Sequence, residues 1–479
     1  TTVLYVLLSC YSWHNQSAHQ VWVINMNYTK MYQALRKILD KDEQIDYAMS
    51  NRTAAHIELW SKMYEDMSPW LNKNIQSAGI AATVSGEIAR LTVLEVKSEV
   101  SGSAKATYIN KFYQKVLEKL RIQVEYANAK GGLVFKPYVN ADGISIQFIQ
   151  ADNFFPLEFD TETITKCAFL DQFRKNNEIY SRVEIHSLKD GMLNIRNRAF
   201  VSKTEGMIGT EIPVGSVARW SELAQEIAFS GTDKLPFGYF RVPLGNNKDA
   251  NSPLGASVFS RGVEHIQEAD NRYSQINWEY GSKETAIHIA QSLLKYRKDT
   301  DSFEYPAGKQ RLYRAVEYNT GPVDKPFMEV FSPEIRDESY FNGWNHLMRL
   351  IEFDCNLAYG TISDPNNTDK TAEEIKASKQ RSYSFVQSCQ TALQHALEDL
   401  VDAISFWCDL YHLCPSGNYQ TSFDWDDSIV TDVESERQSD RLDVAMGAMS
   451  LVEYRMKWYG ETEEQAKAAV QQPEDTVIE

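Results

Sequence analysis

One long uninterrupted helical pattern constrains this chain more than any other feature. Between Pro365 and Pro415 there is neither glycine nor proline, the residues that most often break a helix. Apolar or small side chains recur there in steps of three and four, at Val386, Cys389, Leu393, Leu397, Leu400, Ile404, Trp407 and Tyr411. That spacing makes a single stripe along an α-helix. The sequence therefore predicts one helix over Thr371–Leu413, started by a capping box of Thr371 and Glu374.

The predicted length of this helix is unusual. At 1.5 Å per residue it spans roughly 60 Å, whereas a helix of a globular domain runs about 8–20 residues. Such a length is typical of a coiled coil, a repeat or a spoke in an oligomer. A long but ordinary core helix stays open as the alternative.

Two further helices are predicted to begin at Ser-Pro steps, because serine caps a helix start and proline fits the first helical position. The first follows Ser252-Pro253 and stops at Gly281, so it covers residues 252–281. The second follows Ser332-Pro333 and covers residues 333–358. The expected inward residues include Val263, Ile266 and Tyr273 on the first helix and Trp344, Leu347 and Ile351 on the second, and the expected outward residues of the first are Glu264, Glu268, Asp270 and Arg272.

Two shorter segments lie beside these helices. Residues 282–332 form a compact insertion bounded by glycines and prolines, with Arg311–Glu317 as a predicted strand. Residues 359–370 are polar, contain Gly360 and Pro365, and are predicted to form a loop rather than a helix. The order is therefore helix, insertion, helix, loop and very long helix.

The first half of the chain is predicted to be α+β, and the second half mainly α. Helical patterns cover Tyr28–Asp40, Thr53–Met67, Ala78–Glu99 and Ala104–Gln123. Strands are predicted at Leu133–Val139, Ile144–Gln150, Ile164–Phe173, Ile179–Leu188 and Leu193–Val201, joined by turns at Asp142-Gly143, Asn176-Asn177 and Asp190-Gly191. Residues 1–25 are expected to be a mis-assigned start or a scar, with the native chain beginning near Met26.

Composition excludes several classes of protein. The net charge of −17 argues against a surface that grips nucleic acid, which needs several Lys or Arg contacts to phosphate. The six cysteines are scattered without C-x-x-C spacing, so a disulfide framework or a zinc site is not predicted. There is no run of 18 apolar residues, so no membrane span is predicted.

Motifs of catalysis and cofactor binding do not appear in the sequence. Gly308-Lys309-Gln310 lacks the upstream glycine and the hydroxyl of a phosphate-binding loop. His395 and Asp399 are one helical turn apart, but no third metal ligand falls in register, and a solvated helix pair is the better interpretation. We therefore predict no enzyme activity, no metal and no cofactor.

The element order and several local strings resemble one known family. The strings are Ser252-Pro253-Leu254-Gly255, Gln267-Glu268-Ala269-Asp270, Thr371-Ala372-Glu373-Glu374-Ile375, Phe423-Asp424-Trp425-Asp426-Asp427-Ser428-Ile429 and Met449-Ser450-Leu451-Val452-Glu453-Tyr454-Arg455. The chain from about Met26 onward resembles the portal proteins of tailed bacteriophages, in the branch typical of long-tailed phages of Gram-positive bacteria.

The resemblance implies a fold and a function. Portal proteins form a ring, a dodecamer in the virion, at one capsid vertex, around a channel for DNA packaging and ejection. By this resemblance residues 26–251 are the α+β wing, 252–281 and 333–358 the stem, 282–332 a small α/β clip and 359–370 the tunnel loop. Residues 371–413 are the long wing helix and 414–479 the crown region.

The resemblance also implies partners and site residues. The protein partners are further copies of the chain, the terminase large subunit, a head–tail adaptor, and the major capsid and scaffolding proteins. Double-stranded DNA is expected to pass through the channel without sequence-specific binding. Assembly is expected in the host cytoplasm. The channel-facing residues would be Asp364, Asn366, Asn367, Asp369 and Lys370, and the docking residues of the clip Arg297, Arg311, Tyr313 and Arg314.

Two alternatives from other classes stay open. One is a hydrolase whose site is dispersed along the chain, which a monomer with a deep polar pocket would favour. The other is a non-viral cytosolic helical scaffold, which a small oligomer without a central hole would favour.

Overall fold

We describe a computed structural model of the chain, which covers residues 28–39, 50–94, 96–160, 163–250, 252–290, 294–299, 301–304, 312–316, 328–364, 372–425 and 433–470. The fold is α+β, with 46% helix and 26% strand among the described residues. The helices are α1 Tyr28–Leu39, α2 Asn51–Tyr64, α3 Ile80–Val93, α4 Ala104–Leu117, α5 Leu120–Lys130, α6 Val263–Ser282, α7 Asp337–Asp354, α8 Ala372–Leu410, α9 Val433–Met446, α10 Leu451–Tyr459 and α11 Glu463–Val470.

The strands belong to five sheets. They are β1 Val96–Ser101, β2 Gly132–Asn140, β3 Gly143–Gln150, β4 Phe154–Asp160, β5 Thr163–Lys175, β6 Glu178–Lys189, β7 Met192–Ser202, β8 Thr210–Ile212, β9 Glu226–Ser230, β10 Gly238–Arg241, β11 Ala286–Ala290, β12 Lys295–Arg297, β13 Ser302–Glu304, β14 Tyr313–Val316, β15 Met328–Phe331 and β16 Gln420–Trp425. We call residues 28–262 and 372–425 the main body, and residues 263–354 the arm.

The largest sheet is an antiparallel meander of β4 to β8, with β9 paired to β7. Its predicted hairpin turns are confirmed, because Asn176 and Asn177 have φ of 50° and 63°, and Asp190 and Gly191 have φ of 52° and 74°. Both central residues of each turn are left-handed, which matches the right-handed twist of the flanking strands. A second sheet has the order β10-β2-β3, and its β2–β3 hairpin confirms the Asp142-Gly143 prediction.

The predicted long helix is confirmed as α8, and it is a central element of the main body. It packs on β2, β10 and α3, and its residues Cys389, Leu393, Leu397, Leu400 and Ile404 are fully buried. The helix ends at Leu410 rather than Leu413, because His412 adopts a left-handed φ of 51° and the Leu413 N–H donates to the Cys408 carbonyl at 3.0 Å. The predicted capping residue Thr371 and the side chain of Glu374 lie outside the described residues.

The predicted helix start at Ser252-Pro253 is wrong. Residues 252–262 are turns and extended chain, and α6 begins at Val263 and ends at Ser282, so Gly281 lies inside it. The Ser252 hydroxyl accepts a hydrogen bond from the Leu254 N–H at 3.3 Å and so caps a turn. Burial of the following apolar residues outweighs the local helix signal, since Val258 N–H donates to the Asn128 carbonyl at 2.9 Å and Phe259 is fully buried.

The predicted start of the second helix at Ser332-Pro333 is also wrong. Residues 332–336 continue from β15 without helical structure, and α7 covers only Asp337–Asp354. The ammonium group of Lys283, directly after α6, donates to the Glu334 carbonyl at 2.8 Å. This hydrogen bond links the segment before α7 to the end of α6. The helix ends because Asn356 is left-handed, with φ of 58°, and the Leu357 N–H returns to the Glu352 carbonyl at 2.8 Å.

Two predictions in the first half were partly wrong. The pattern over Ala78–Glu99 divides into α3 and strand β1, because β1 pairs with the distant β16. The pattern over Ala104–Gln123 divides into α4 and α5, with Lys119 between them. Only the first of these differences has a non-local cause.

The insertion within the arm consists of strands in its described part. Strand β11 lies between β14, which is parallel to it, and β15, which is antiparallel, and β12 pairs with β13. Strand β14 confirms the core of the predicted strand, while Arg311 and Glu317 lie outside the described residues. The expected α/β character is not met within residues 283–290, 294–299, 301–304, 312–316 and 328–336, which contain no helix beyond Ser282.

The main core cluster extends through the main body and into the base of the arm, where Ile266 and Ile351 join it. A smaller separate cluster contains Ala199, Val214, Val217 and Trp220. Of the five cysteines in the described ranges, all are free thiols and four are buried. No helix among the described residues is long and apolar enough to cross a lipid bilayer.

Candidate ring and channel segments

The arm is built on an antiparallel pair of helices, α6 and α7, which are joined at three levels. At its base, His265 Nδ1 lies 2.6 Å from Asp354 Oδ2. In the middle, the ring centroids of Tyr273 and Trp344 are 6.1 Å apart. At its far end, the Arg336 guanidinium donates to both oxygens of Glu279, at 3.1 and 3.0 Å. The pair is therefore pinned along its length by polar and aromatic contacts.

Glu279 fixes the point at which the chain leaves the helix pair for the insertion. Its carboxylate is almost fully buried and is paired with Arg336 and, at 3.0 Å, with Lys283. The hydrogen bonds from Arg336 and then Lys283 lower the pKa of Glu279 to about 2. The carboxylate is therefore ionised at neutral pH.

Asp270 ties the arm to the main body. The sequence predicted an outward position for Asp270, and this was wrong, because the residue is only 2% exposed. It accepts hydrogen bonds from Trp70 Nε1 and the Ala78 N–H, both at 2.8 Å. Burial raises the pKa of this carboxyl group although both hydrogen bonds lower it. The predicted outward residues Glu264 and Arg272 do face solvent.

The structure places the predicted inward residues of the stem unequally. Ile266, Leu347 and Ile351 are buried, as predicted. Val263 and Trp344 are half-buried. Tyr273 is 36% exposed, so its predicted inward position was wrong for the single chain.

Several large apolar side chains on the arm are exposed in the single chain. Trp278 is 68% exposed, and the set also includes Tyr280, Ile335, Phe341, Leu350, Phe353, Met328, Val330 and Phe331. Large exposed apolar surface is typical of a contact with another molecule. The arm is therefore a candidate contact surface.

The loop after α7 is anchored by one buried carboxylate, Glu352. Its Oε1 accepts from the N–H groups of Ile362 and Ser363, at 2.7 and 2.9 Å, and its Oε2 accepts from the Ser363 hydroxyl at 2.8 Å. Asn345, about two turns earlier on the same helix face, accepts from the Asp364 N–H at 2.7 Å. The first half of the predicted loop is therefore non-helical, as predicted, but firmly held.

Arg381 of α8 holds the same loop from its other side. Its guanidinium lies 4.7 Å from the ring centroid of Phe353 and 5.3 Å from that of Tyr359, and it donates to the Leu357 carbonyl at 3.1 Å. The Tyr359 N–H donates to the Ser378 hydroxyl at 2.8 Å. The loop is therefore held by contacts to both α7 and α8.

Only some of the predicted site residues fall in the described part of the chain. Asp364 is exposed at the end of the anchored segment, whereas Asn366, Asn367, Asp369 and Lys370 lie outside the described residues. On the insertion, Arg297 and Arg314 are exposed and Tyr313 is half-buried, and Arg311 lies outside the described residues.

Sequence reasoning missed the three buried acids Asp270, Glu279 and Glu352. A signal was present, because each carboxylate stands on the inward face of its helix, near Ile266, Ile276 and Ile351 respectively. An acid on an otherwise apolar face predicts a buried hydrogen-bonding role. The partners of these acids are not local, so the sequence alone does not identify them.

The chain order described above is typical of one class of structural protein. A mixed main body, a helix pair with a small inserted sheet, an anchored loop and a very long returning helix are consistent with the phage portal class. The chain matches the family described as phage portal protein, SPP1 Gp6-like, over residues 18–475, and it belongs to that family. No curated protein matches the chain.

Proposed function

We propose that this chain forms a closed ring of about twelve copies at one vertex of a phage capsid, the usual ring of the portal class. Double-stranded DNA passes through the ring during packaging and ejection. The observation that carries the proposal is the number of exposed large apolar side chains on the arm, of which Trp278 is the most exposed. Membership of the portal family over nearly the whole chain supports it.

The arm has the properties that ring closure requires. Head-to-tail contacts between copies form a closed ring only at a fixed rotation between neighbours, so the contacting element must hold its shape. The α6–α7 pair is pinned by Glu279–Arg336 and His265–Asp354, and it carries apolar side chains beyond those that it buries itself. We therefore assign residues 263–282 and 337–354 as the stem that contacts neighbouring copies.

The loop at residues 359–370 is proposed to face the channel. Asp364 is exposed at the end of the segment that Glu352 and Asn345 anchor, so the residues after it start from a fixed point. Each copy would project its loop from the same fixed point and narrow the channel. The net charge of −17 supports an acidic wall, against which phosphate finds few cationic contacts and DNA can slide.

The remaining assignments concern partners. The insertion, with exposed Arg297 and Arg314, would be the clip that meets the terminase large subunit during packaging and a head–tail adaptor afterwards. The main body would be the wing that meets the major capsid and scaffolding proteins, and residues 414–479 the crown. The ring would assemble in the host cytoplasm and remain in the virion.

Native mass spectrometry with negative-stain imaging tests the ring. The parent protein should give rings of about a dozen copies with a central hole. Substituting Trp278→Asp together with Phe341→Asp should abolish the rings and leave a folded chain, because both side chains are exposed and a charge there opposes the apolar contact. The matched control is Ile122→Asp, which changes an exposed apolar side chain on a helix of the main body.

One outcome would contradict the ring proposal. A parent protein that stays a monodisperse monomer at micromolar concentration in several salts would rule it out. A small oligomer without a hole would favour a helical scaffold instead.

Removal of residues 366–369 tests the channel loop. Rings should still form, because the anchors at Glu352, Asn345 and Arg381 remain. Heads assembled with the shortened loop should package less DNA or leak it after packaging, measured as DNA length per head and release over time. Heads that fill and retain DNA like the parent would reduce the loop to a connector.

A further inference from the structure

The chain reverses its direction at the C-terminal end of α8. The Leu413 N–H donates to the Cys408 carbonyl at 3.0 Å. The His412 N–H donates to the Asp409 carbonyl at 3.4 Å, and His412 is in the left-handed region. Together these two hydrogen bonds form a Schellman motif, in which the chain folds back over the last turn of its helix. Cys414, the next residue along the chain, therefore returns towards Cys408.

Contacts with α8 and α4 hold the returning segment in place. The Tyr419 hydroxyl donates to Asp402 of α8 at 2.8 Å. An added Cβ at Gly417 would lie 2.6 Å from the Ser103 hydroxyl oxygen, so the segment passes close to the start of α4. The segment that contains Cys414 is thus fixed at both of its ends.

Cys408 and Cys414 meet across this reversal. Their thiols are in hydrogen-bond contact, and both cysteines are free. Cys408 is fully buried, whereas Cys414 is half-buried and is followed by the exposed Pro415 and Ser416. Small reagents can therefore approach one thiol from the solvent, and the second thiol lies directly beside it.

The surroundings of the pair give the two thiols different reactivity. The pKa of the Cys408 thiol is raised to about 12, first by burial and then by its contact with Cys414, although Lys105 lowers it. Such a thiol reacts slowly by itself, because the thiolate is the nucleophile. The first reaction with an external reagent therefore falls to Cys414. The buried ammonium of Lys105 favours the Cys408 thiolate when that thiolate forms.

We propose that Cys408 and Cys414 are an oxidisable dithiol, and that their disulfide fastens the segment between α8 and β16. The oxidant is a small-molecule disulfide such as oxidised glutathione. The Cys414 thiolate attacks one sulfur of the oxidant, forms a mixed disulfide and releases one small thiol. Cys408 then loses its proton to water, attacks the Cys414 sulfur and releases the second small thiol. The protein loses two hydrogens, and the oxidant is reduced to two thiols.

Inert packing is the competing interpretation, because a buried cysteine behaves as a small apolar side chain. Cys167, Cys355 and Cys389 fit that interpretation, since each is fully buried and no cysteine of the described ranges acts on its thiol. Cys408 differs from them because a second thiol is in contact with it. The three buried cysteines are therefore internal controls for oxidation.

Oxidation of the full-length protein tests the proposal. A Cys10→Ser background removes the cysteine that lies outside the described residues. The protein is incubated with oxidised glutathione, unfolded in acid and alkylated, and its peptides are mapped by mass spectrometry. A link between Cys408 and Cys414 should form at least about tenfold faster than the thiols of the three buried cysteines are lost. A glutathione adduct that persists on Cys414, or a link between two copies of the chain, would overturn the proposal.

Three variants separate the two steps of the reaction. Cys408→Ser should stop at the mixed disulfide on Cys414, because the second thiol is absent. Cys414→Ser should leave Cys408 reduced, because the thiol that reacts first is absent. Cys389→Ser is the matched control, a buried cysteine of the same helix, and should leave the link unchanged. The unfolding midpoint of each variant is measured first, so that altered reactivity is not altered folding. Oxidation of Cys408 at the parental rate in Cys414→Ser would overturn the proposal.

Amide exchange measures what the disulfide does to the fold. Oxidation should slow exchange over residues 411–419 by at least about fivefold, because a covalent link restricts local opening of the turn. Dithiothreitol should restore the original rate, and Cys414→Ser treated with the same oxidant should show no change. Equal exchange in the oxidised and reduced parent would overturn the proposal that the disulfide fastens this segment.

Discussion

The main body and the arm differ in how far their large side chains are buried. The main body buries its large side chains within one chain, and Trp60, Phe135, Phe155 and Phe240 are all fully buried there. The arm buries little beyond its base, and Trp278 is mostly exposed. It is held instead by a few charged and polar contacts, made by Glu279 within the arm, by Asp270 to the main body and by Glu352 to the loop after α7.

The two regions are therefore stabilised in different ways. In the main body, close packing fixes the structure, and hydrophobic burial provides most of its stability. In the arm, buried carboxylates hold the backbone through hydrogen bonds and ion pairs, while several large apolar side chains stay exposed. Changes in packing should therefore damage the main body most, and changes in single carboxylates should damage the arm locally.

The largest effect is expected from a methyl group added where β10 and α8 of the main body are in close contact. In Gly238→Ala, the new Cβ would lie 2.0 Å from the Ala396 carbonyl oxygen and 3.1 Å from the Leu400 nitrogen, where β10 crosses α8. We expect a loss of about 3 kcal/mol in the free energy of unfolding, since backbone has to move. Equilibrium denaturation measures it.

Gly245→Ala is the control for this prediction. No atom lies within 4 Å of the position that its Cβ would occupy. A change below about 0.5 kcal/mol is expected there. If both variants were equally stable, β10 and α8 would not be packed as closely as described.

The next effect should be confined to the arm and the loop. Glu352→Leu removes the acceptor for the Ile362 and Ser363 N–H groups and leaves both buried in apolar surroundings. We expect a local loss of about 3 kcal/mol, seen as faster amide exchange over residues 357–364. Amides of the main body should keep their protection.

Glu352→Gln sharpens the same comparison. The amide oxygen can retain both backbone hydrogen bonds, and the Ser363 hydroxyl can turn to accept from the amide nitrogen. The expected cost is at most about 1 kcal/mol. Equal exchange in the two variants would mean that the buried charge itself, rather than the acceptor geometry, holds the loop.

The smallest effect concerns the pH dependence of the arm. The folded-state pKa of Glu279 is lowered to about 2 from its ordinary 4.5. Its stabilising contribution is therefore complete above the ordinary pKa and is lost as pH falls from that value towards 2. Glu279→Gln should flatten the acid dependence of arm stability in this window, measured by amide exchange of α6 and α7 at several pH values. A profile identical to that of the parent would show that another group titrates there.

The sequence predicted those elements that local chemistry determines. Asp190-Gly191 and Asn176-Asn177 set hairpins through their own left-handed φ angles, and the stripe on α8 required only a constant period. The Ser252-Pro253 signal failed because a non-local contact, between Val258 and the Asn128 carbonyl, was stronger than a local preference. Local signals hold until tertiary burial competes with them.

The site was predicted less completely than the fold. The loop and the helix pair were predicted in the right order, but the anchors that orient them, Glu352 and Arg381, depend on contacts between helices. The pattern over Ala78–Glu99 had the same difficulty, because strand β1 exists only through its partner β16. One sequence without knowledge of contacts cannot supply such partners.

The pairing of β1 with β16 also sets the time at which the main body can be completed. The Ser98 hydroxyl donates to the Ser422 carbonyl, a contact across 324 residues. At the usual rates of synthesis, roughly 5–20 residues per second, the ribosome needs about 15–65 s to bring the second strand to the first. During that interval α4 lacks its contacts with α8, and the edge of β1 lacks its partner strand β16. The main body is therefore completed only after nearly the entire chain has been made.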